Sequence, residues 1–373
     1  MAGNSAVEWT EATWNPIVGC SIKSPGCTNC YAMKMAARIE AMNAKAAPGR
    51  ETAPQYNGTT RKVSGHAVWT GKLAQASDDV LFAPLRRKKP TTYFVNSMGD
   101  LFHEECPDEW IDRVFAVMAL CPQHTFQVLT KRAARMRDYM ANVEREVLWM
   151  NAVADLFEID CSLLNSRYPY PIMGQREPWL PLPNVWLGVS TERQQEADER
   201  IPMLLQTPAA VRFISAEPLL GPIDLVTPLY TGEAGITMRG YLRDHAEPDD
   251  FHHHARKLDW VIVGGESGRD ARPMHPQWPQ SLRDQCGAAG VPFFFKQWGE
   301  FAPCDAINTS MRHALCNWIG EPPRLERDWV KALDFLKKSR GIDGAHVLAR
   351  MGKSIAGRRI DGIEHNAMPE LRR

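Results

Sequence analysis

The sequence lacks the features that mark membrane, secreted and broadly nucleic-acid-binding proteins. No apolar run reaches the roughly 18 residues of a membrane-spanning helix, so we expect no membrane segment. Lys and Arg together number 44, as do Asp and Glu, which excludes a chain-wide basic surface and leaves only local basic patches. The first residues lack the basic and apolar regions of a secretory signal, so we expect the protein to be cytoplasmic.

The nine cysteines lack a second close pair. Six residues separate Cys20 from Cys27, and two separate Cys27 from Cys30. The other six cysteines are scattered singly along the chain. An odd count without a secretion signal favours reduced thiols and metal ligation over a disulfide framework.

Two kinds of metal centre suit three clustered thiols. A structural zinc ion needs four nitrogen or sulfur ligands, and His103 with Cys106 is the best available completion if the fold brings them close. A [4Fe–4S] cluster on Cys20, Cys27 and Cys30 needs no fourth protein ligand and leaves one iron open. S-adenosylmethionine can chelate such an iron through its amino and carboxylate groups, and one electron then releases a 5′-deoxyadenosyl radical.

Short β-rich runs recur along the chain, and most are followed by a helical segment. The predicted strands cover residues 92–100, 125–132, 184–190, 211–218, 258–267 and 291–298, with a first strand near 14–19. Their nearly continuous apolar character predicts a parallel sheet covered on both faces. The fold class is therefore α/β, a partial TIM-like (β/α) barrel of six to seven units over residues 1–300.

Four parts of the chain depart from this pattern. We predict a loop over residues 46–66 and insertions near residues 141–182 and 226–257. Residues 301–373 are predicted as a C-terminal extension that includes a helix from Leu325 to Ser339.

Polar side chains stand at the predicted carboxyl ends of the strands, where α/β folds place their sites. These positions include Asn96, Ser97, Asp100, Lys131, Ser190, Glu217, Glu266 and Lys296. Each residue taken alone is equally well explained as a strand terminator or a helix cap. Taken together they favour a site, with Lys131, Glu217 and Lys296 as catalytic candidates. An ion pair with Glu217 or Glu266 is the alternative role of Lys296.

Two local groups of basic residues suit phosphates of a nucleotide or nucleic acid. One group is Arg86 to Lys89, which alternatively keeps a strand edge soluble. The other comprises Lys131, Arg132, Arg135 and Arg137, next to a predicted strand end.

Several motifs carry a resemblance to known families. The stretch from Cys20 to Ala32 resembles the cluster loop of radical S-adenosylmethionine (radical SAM) enzymes, and Cys30-Tyr31-Ala32 resembles the spore photoproduct lyase-like branch. The gap between Cys20 and Cys27 is longer than in most of those enzymes. Asn29 stands where they have an aromatic residue, so Tyr31 is its substitute.

Longer motifs resemble a phage-encoded three-Cys-motif protein family of unknown function. Together they extend over nearly residues 7–300 and consist of Glu8–Pro16, the cysteine loop, Asn96–His103, Thr125–Arg132, Glu217–Leu219, Gly264–Gly268 and Phe294–Gly299.

The resemblance implies a function and its cofactors. Cys20, Cys27 and Cys30 would hold a [4Fe–4S] cluster that uses S-adenosylmethionine, with an external electron donor, a nucleotide or nucleic-acid substrate and a partner protein. The turn Gly264-Gly265-Glu266 resembles one that holds the methionine amino group. Asn96, Ser97, Asp100, Tyr31 and Ser190 are the other predicted cofactor contacts.

Two alternative functions stay open at this point. One is a zinc-stabilised nucleic-acid-binding protein without catalysis. The other is a barrel hydrolase in which Glu217 and Glu266 act as paired carboxylates, although that function leaves the cysteines unexplained.

Overall fold

The structure, a computed structural model, describes most of the chain. The described residues are 3–4, 7–47, 49–159, 181–227, 229–230, 236–237, 240–242, 257–303, 315–318, 324–326 and 346–370. Residues 160–180 of the first predicted insertion, most of the second and much of the C-terminal extension therefore lie outside them. The chain divides into two compact units, one including Met1–Val189 and Arg200–Phe213, the other Ser190–Glu199 and Ile214–Glu370. The boundary near residue 300 stays a prediction.

Strands and helices alternate along the chain as the pattern predicts. Up to residue 216 the strands are β1 (Gly3–Asn4), β2 (Ala12–Trp14), β3 (Ile17–Val18), β4 (Thr60–Val63), β5 (His66–Trp69), β6 (Ala74–Gln75), β7 (Thr92–Val95), β8 (Thr125–Thr130), β9 (Val185–Ser190) and β10 (Val211–Ala216). The helices over the same residues are α1 (Tyr31–Asn43), α2 (Asp78–Leu81), α3 (Ala83–Arg86), α4 (Asp108–Ala119), α5 (Ala133–Met140), α6 (Arg145–Ile159) and α7 (Gln194–Gln206).

Beyond residue 216 the described elements are shorter. The strands are β11 (Leu229–Tyr230), β12 (Ile236–Thr237), β13 (Trp260–Gly264), β14 (Phe293–Gln297), β15 (Phe301–Pro303), β16 (Leu315–Trp318), β17 (Arg324–Glu326), β18 (His346–Arg350), β19 (Arg359–Ile360) and β20 (Ile363–Glu364). The helices are α8 (Gln277–Ala289) and α9 (Lys353–Ala356).

The first unit is built on parallel strands whose order in the sheet follows their order in the chain. β2 pairs in parallel with β7, β7 with β8, and β8 with β9, while β1 adds an antiparallel edge. β10 follows β9 in the same sheet. Sequential order is the topology of a (β/α) barrel, whereas a doubly wound sheet reverses its order at a switch point. The α/β class is confirmed, and the strand order is consistent with a partial TIM-like barrel.

Apolar runs form the central strands because both sheet faces are covered. Every residue of β9 is buried, and the ring of Tyr93 in β7 stacks on that of Phe126 in β8 at 5.5 Å. The covering helices pack through aromatic rings as well, with Phe115 of α4 stacked on Trp149 of α6 at 4.6 Å. The stretch predicted as an insertion near 141–182 contains helix α6.

In the second unit, β13 and β14 form a parallel pair connected through α8. Val261 lies opposite Phe293 in this pair, and α8 ends at Gly290, whose φ of +65 suits a left-handed helix cap. The segment after α9 lies alongside β14. The backbone N–H of Phe295 in β14 donates to the carbonyl oxygen of His365 in this segment at 2.9 Å. The indole N–H of Trp260 donates to the carbonyl oxygen of Ala367 at 2.8 Å. This segment therefore pairs with the free edge of β14.

Two secondary-structure predictions differ from the structure where it describes them. The loop predicted over 46–66 contains β4, which forms an antiparallel hairpin with β5 around Ser64 and Gly65. Both turn residues have positive φ, as a two-residue hairpin turn requires. Leu325 and Glu326, the first two residues of the helix predicted to end at Ser339, instead belong to β17, which pairs with β16. The remaining residues of that predicted helix lie outside the described ranges.

Within the ranges given above, none of the helices combines the length and the apolar composition needed to cross a membrane.

Candidate metal centre

The cysteine loop starts directly after β3, at a close approach between two backbone segments. Gly19 has φ +95, and a Cβ there would lie 2.1 Å from the carbonyl oxygen of Lys72. Gly19 also forms a parallel bridge with Gly99, the fourth residue after β7. A side chain at Gly19 would therefore displace the loop, so glycine is required at this position.

The loop then forms a short 3₁₀ turn and leads into a helix. Ser24 precedes the turn Pro25–Cys27, in which Pro25 takes the first helical position that proline favours. Cys30 occupies the N-cap position of α1. Its sulfur atom therefore lies at the positive end of a helix dipole.

Two of the thiols border a cluster of buried apolar side chains. Cys27 is itself buried, while Cys20 and Cys30 are partly buried and pack against this cluster. Its members are Val18, Ala32, Met33, Ala36, Tyr56, Trp69 and Met98. The cluster excludes water from one side of the loop, which strengthens the electrostatic interactions of the sulfur atoms.

Burial keeps the Cys20 thiol protonated at neutral pH. It raises the pKa of Cys20 to about 12; the carboxylate of Asp100 adds to this rise, and the guanidinium of Arg132 opposes it. Thiolate charge on Cys27 or Cys30 raises the same pKa further, because the three sulfur atoms are close enough to interact. A bound cation would supply the positive charge that converts such thiols to thiolates.

Cys30 is partly buried as well, but more of its neighbours lower the pKa of its thiol. Burial raises the pKa of its thiol, whereas hydrogen bonds from the backbone of Met33 and Ala32 lower it. The ammonium group of Lys131 lowers it as well. Lys131, predicted as catalytic, is therefore close enough to the cysteine loop to act on the charge of Cys30.

In the part of the chain that the structure describes, no group of three or more His, Cys, Asp or Glu side chains is arranged to hold a metal ion.

Arg132 connects the cysteine loop to the segments after β7 and β8. Its guanidinium donates to Asp100 and to Glu104, each at 3.0 Å, and its side chain is only 2% exposed. The same group donates to the hydroxyl of Ser21 at 2.7 Å and lies 3.4 Å from the Sγ atom of Cys20. One buried cation therefore fixes the first cysteine relative to two carboxylates.

Asp100 is surrounded by donors in this network. Its Oδ1 accepts from the hydroxyl of Thr130 at 2.6 Å and from the backbone N–H of Phe102 at 3.1 Å. Its Oδ2 accepts from the backbone N–H of Lys131 at 3.1 Å as well as from Arg132. A buried carboxylate with this many donors is strongly held. Asp100, predicted as a cofactor contact, here positions Arg132.

Glu104 extends the network to the surface of the loop. Partial burial raises the pKa of Glu104, but hydrogen bonds from Lys23 and Arg132 outweigh this effect and bring it to about 2. The ammonium of Lys23 lies 2.8 Å from Oε1. Glu104 therefore links a loop residue to the buried cation.

His103 lies beside the cysteine loop in one defined tautomer. Its Nδ1 accepts from the backbone N–H of Glu105 at 3.1 Å. Burial lowers the pKa of His103, and the guanidinium of Arg132 lowers it further, so the ring is neutral at pH 7. The proton is then on Nε2, which donates to the hydroxyl of Ser21 at 2.8 Å.

Three of the residues predicted as cofactor contacts meet near the end of β7. Asn96 has φ +55, and its Oδ1 accepts from the backbone N–H of Ile17 at 3.3 Å. Within the described residues its buried Nδ2 has no hydrogen-bond partner. The hydroxyl of Tyr31 donates to the carbonyl oxygen of Ser97 at 2.8 Å, and Ser97 donates to Asn15 at 3.1 Å.

The second unit contains a separate cluster at the ends of β10, β13 and β14. The ammonium of Lys296 lies 2.8 Å from Oε1 of Glu217, and the hydroxyl of Ser215 donates to Oε2 at 3.0 Å. A Cβ on Gly264 would lie 2.9 Å from Oε1 of Glu217. The structure therefore pairs Lys296 with Glu217 and brings both against Gly264. Ser190, also in this unit, is buried at the end of β9.

Glu266 belongs to a different ion pair. The guanidinium and backbone of Arg272 donate to it at distances between 2.6 and 2.9 Å, including a two-pronged contact to both carboxylate oxygens. The backbone of Gly265 passes so close to Trp298 that a Cβ would lie 1.9 Å from its carbonyl oxygen. Glu217 and Glu266, the carboxylates of the hydrolase alternative, thus each have their own cationic partner, Lys296 and Arg272.

Sequence reasoning missed three members of the network around the cysteine loop. Ser21 and Glu104 had no assigned role, and Arg132 was assigned to phosphate contacts although its side chain is buried between carboxylates. The only available signal was their position: Ser21 lies in the cysteine loop, Glu104 directly follows the motif Asn96–His103, and Arg132 ends the motif Thr125–Arg132.

The fold and the site define an α/β protein with parallel strands and a three-cysteine loop at the start of its first long helix. A family model described as a protein of unknown function, DUF5131, matches residues 4–369, and the chain belongs to this family. The comparison with curated proteins gives no match. The comparison with solved structures gives no match either.

Substitution of Arg132 tests the buried network. Arg132→Met removes the cation and leaves Asp100 buried without its ionic partner, so we expect a loss of about 3–5 kcal/mol in unfolding free energy by urea denaturation. The matched control is Arg86→Met, because Arg86 forms an exposed pair with Asp79 at 3.0 Å. We expect the control to change stability by less than about 1 kcal/mol. Equal losses in both variants would contradict the account.

Substitution of Gly265 tests the close backbone approach in the second unit. Gly265→Ala places a methyl group against the carbonyl of Trp298, and we expect a loss of roughly 1–3 kcal/mol. Gly287→Ala in α8 is the control, since no atom lies within 4 Å of the added Cβ. It should gain up to about 1 kcal/mol from improved helix propensity. An unchanged denaturation midpoint for Gly265→Ala would contradict the geometry.

Proposed function

We propose that this protein is a radical SAM-type enzyme that holds a [4Fe–4S] cluster on Cys20, Cys27 and Cys30. The observation that carries the proposal is that these three thiols share one loop and are close enough to act on one another's charge, while Cys20 and Cys30 pack against one apolar cluster. The resemblance of this loop to radical SAM cluster loops adds to it.

The donor set suits such a cluster chemically. A [4Fe–4S] cluster with one open iron is bound by three protein thiolates, so no fourth sulfur ligand is needed. When bound, the cluster and S-adenosylmethionine supply a 5′-deoxyadenosyl radical for hydrogen abstraction.

The neighbouring residues support the sulfur ligands in two ways. The backbone at the start of α1 hydrogen-bonds to Cys30, and the guanidinium of Arg132 lies against Cys20. Both groups stabilise negative charge on sulfur. Hydrogen bonds to sulfur ligands are among the factors that set the reduction potential of a cluster.

The cofactor contacts are proposed separately for each unit. In the first unit, Tyr31, Asn96 and Ser97 are the proposed contacts of S-adenosylmethionine, and Asn96 offers a buried amide donor that the fold leaves without a partner among the described residues. Asp100 acts by positioning Arg132. Ser190, Gly264, Gly265 and Glu266 stay predicted cofactor contacts, and Lys131, Glu217 and Lys296 stay predicted catalytic residues.

A nucleotide or nucleic acid is the proposed substrate. Within the basic group that follows β8, Lys131 keeps this role, because Arg132 is buried, Arg135 pairs with Asp108 and Arg137 pairs with Asp138. The reaction also needs an external electron donor, and a partner protein is part of the proposal. We place the protein in the cytoplasm, where thiols stay reduced.

One observation favours a second candidate, a zinc-stabilised nucleic-acid-binding protein without catalysis. The fold brings His103 to the cysteine loop, where its neutral ring contacts Ser21, the residue after Cys20. A neutral imidazole near three thiols is the complement of a structural zinc site. In that case His103 would exchange its contact with Ser21 for the metal.

Anaerobic reconstitution with iron and sulfide tests the main proposal. We expect a brown protein with the absorption and electron paramagnetic resonance of a [4Fe–4S] cluster, and 5′-deoxyadenosine after reduction with S-adenosylmethionine. Cys27→Ala should abolish the cluster. Cys106→Ala is the control and should retain it, because Cys106 is a buried thiol outside the loop. Failure to form a cluster, or loss of it in both variants, would contradict the proposal.

Metal analysis of aerobically purified protein separates the two candidates. If the protein is a radical SAM-type enzyme, we expect the analysis to find iron and sulfide from a cluster that oxygen degrades. Colourless protein with one tightly bound zinc ion, lost in His103→Ala, would instead establish the second candidate.

A further inference from the structure

One segment of the chain is strongly basic although the whole chain is balanced. Between Ile17 and Ala76 there are eight Lys or Arg residues and only two acidic residues, both Glu. This segment contains the cysteine loop, α1 and the β4–β5 hairpin. Its positive charge is therefore concentrated in one part of the first unit rather than spread over the surface.

The hairpin presents part of this charge on its exposed strand β4. Arg61, Lys62 and Val63 are consecutive residues of β4, and all three are exposed. Since successive side chains of a strand point to opposite faces, both faces of the ribbon are open to solvent there. Ser64 and Gly65 close the tip in a tight turn.

Helix α1 presents more charge beside the hairpin. Arg38 is exposed on this helix and Lys45 is exposed just beyond its end. Glu40, its single acidic residue, is turned toward the hairpin and accepts hydrogen bonds from the backbone N–H and the hydroxyl of Thr60. The only carboxylate of the helix is thus engaged by neutral donors and lies away from the exposed face.

The exposed cations have no acidic partners in the described residues. None of Arg38, Lys45, Arg61 and Lys62 forms a salt bridge there, whereas other surface cations do, such as Lys23 with Glu104. Uncompensated Lys and Arg on adjoining elements are the complement of a row of phosphates.

We propose that the segment from Ile17 to Ala76 is a nucleic-acid-binding site that contacts the phosphate backbone through Arg38, Lys45, Arg61 and Lys62. A two-stranded ribbon has the width that the major groove of duplex DNA admits. The contacts are to phosphates, so binding is independent of base sequence. This inference does not depend on the cluster. If the protein binds DNA but assembles no cluster, the DNA-binding site is supported and the proposed radical SAM activity is not.

An acidic protein is the competing ligand for such a surface. Stable protein interfaces have an apolar core with charge at the rim. On the hairpin the charges instead lie along the exposed strand β4 itself. The exposed Met35 and Met42 of α1 would suit a protein partner, so the experiment includes an acidic polypeptide.

The test measures binding of the full-length protein, as purified, to a fluorescent duplex DNA of arbitrary sequence at several salt concentrations. We expect the logarithm of the affinity to fall linearly with the logarithm of salt concentration, by about 0.9 for each phosphate contact. The variant Arg61→Gln/Lys62→Gln should bind more weakly and reduce this slope by about 2. Single-stranded DNA of the same length shows which form of the backbone is preferred.

The matched control is Arg269→Gln/Lys353→Gln, which removes two exposed cations outside the segment. It should leave affinity and slope unchanged. Circular dichroism checks that both variants are folded, as expected for exposed side chains. The proposal is overturned if the DNA does not bind, if the hairpin variant binds with an unchanged slope, or if the control variant loses as much. Displacement of DNA by polyglutamate at equal charge would also overturn it in favour of an acidic protein partner.

Discussion

The buried ion pair between Arg132 and Asp100 is the constraint on which the candidate site depends. A buried guanidinium is tolerated only if carboxylates and hydrogen bonds replace its hydration, and Arg132 has two carboxylates for this purpose. The remaining donors of the same group reach Ser21 and approach Cys20. The position of the first cysteine is therefore set by the ends of β7 and β8, which are far from it in the chain.

The strands were predictable because their apolar character is local. The apolar runs that form β9 and β13 predict parallel strands with both faces covered. In the structure every residue of these two strands is buried. The β4–β5 hairpin was missed because β4 is almost entirely exposed and has no apolar alternation to reveal it. Its turn at Ser64 and Gly65 is a weaker signal than Asn-Gly, so the whole stretch resembled a loop.

The sequence predicts which residues form the site, but it does not predict which of them contact one another. The three cysteines and the strand-end residues Asn96, Ser97 and Asp100 stand out in the sequence, and the structure brings them near one another. Lys131 and Arg132 look equivalent as neighbouring basic residues, yet Arg132 is buried with Asp100 while Lys131 lies near Cys30. Only tertiary contacts decide such a difference. The same holds for Lys296, which has two candidate carboxylates in the sequence and pairs with Glu217.

Mössbauer spectroscopy of the iron-57-reconstituted protein tests the central claim most directly, because it distinguishes an open iron from three thiolate-ligated ones. If Cys20, Cys27 and Cys30 are the only protein ligands, addition of S-adenosylmethionine should shift the signal of one iron and leave the other three unchanged. A spectrum that does not respond to S-adenosylmethionine, or a protein that takes up no cluster iron, would contradict the account.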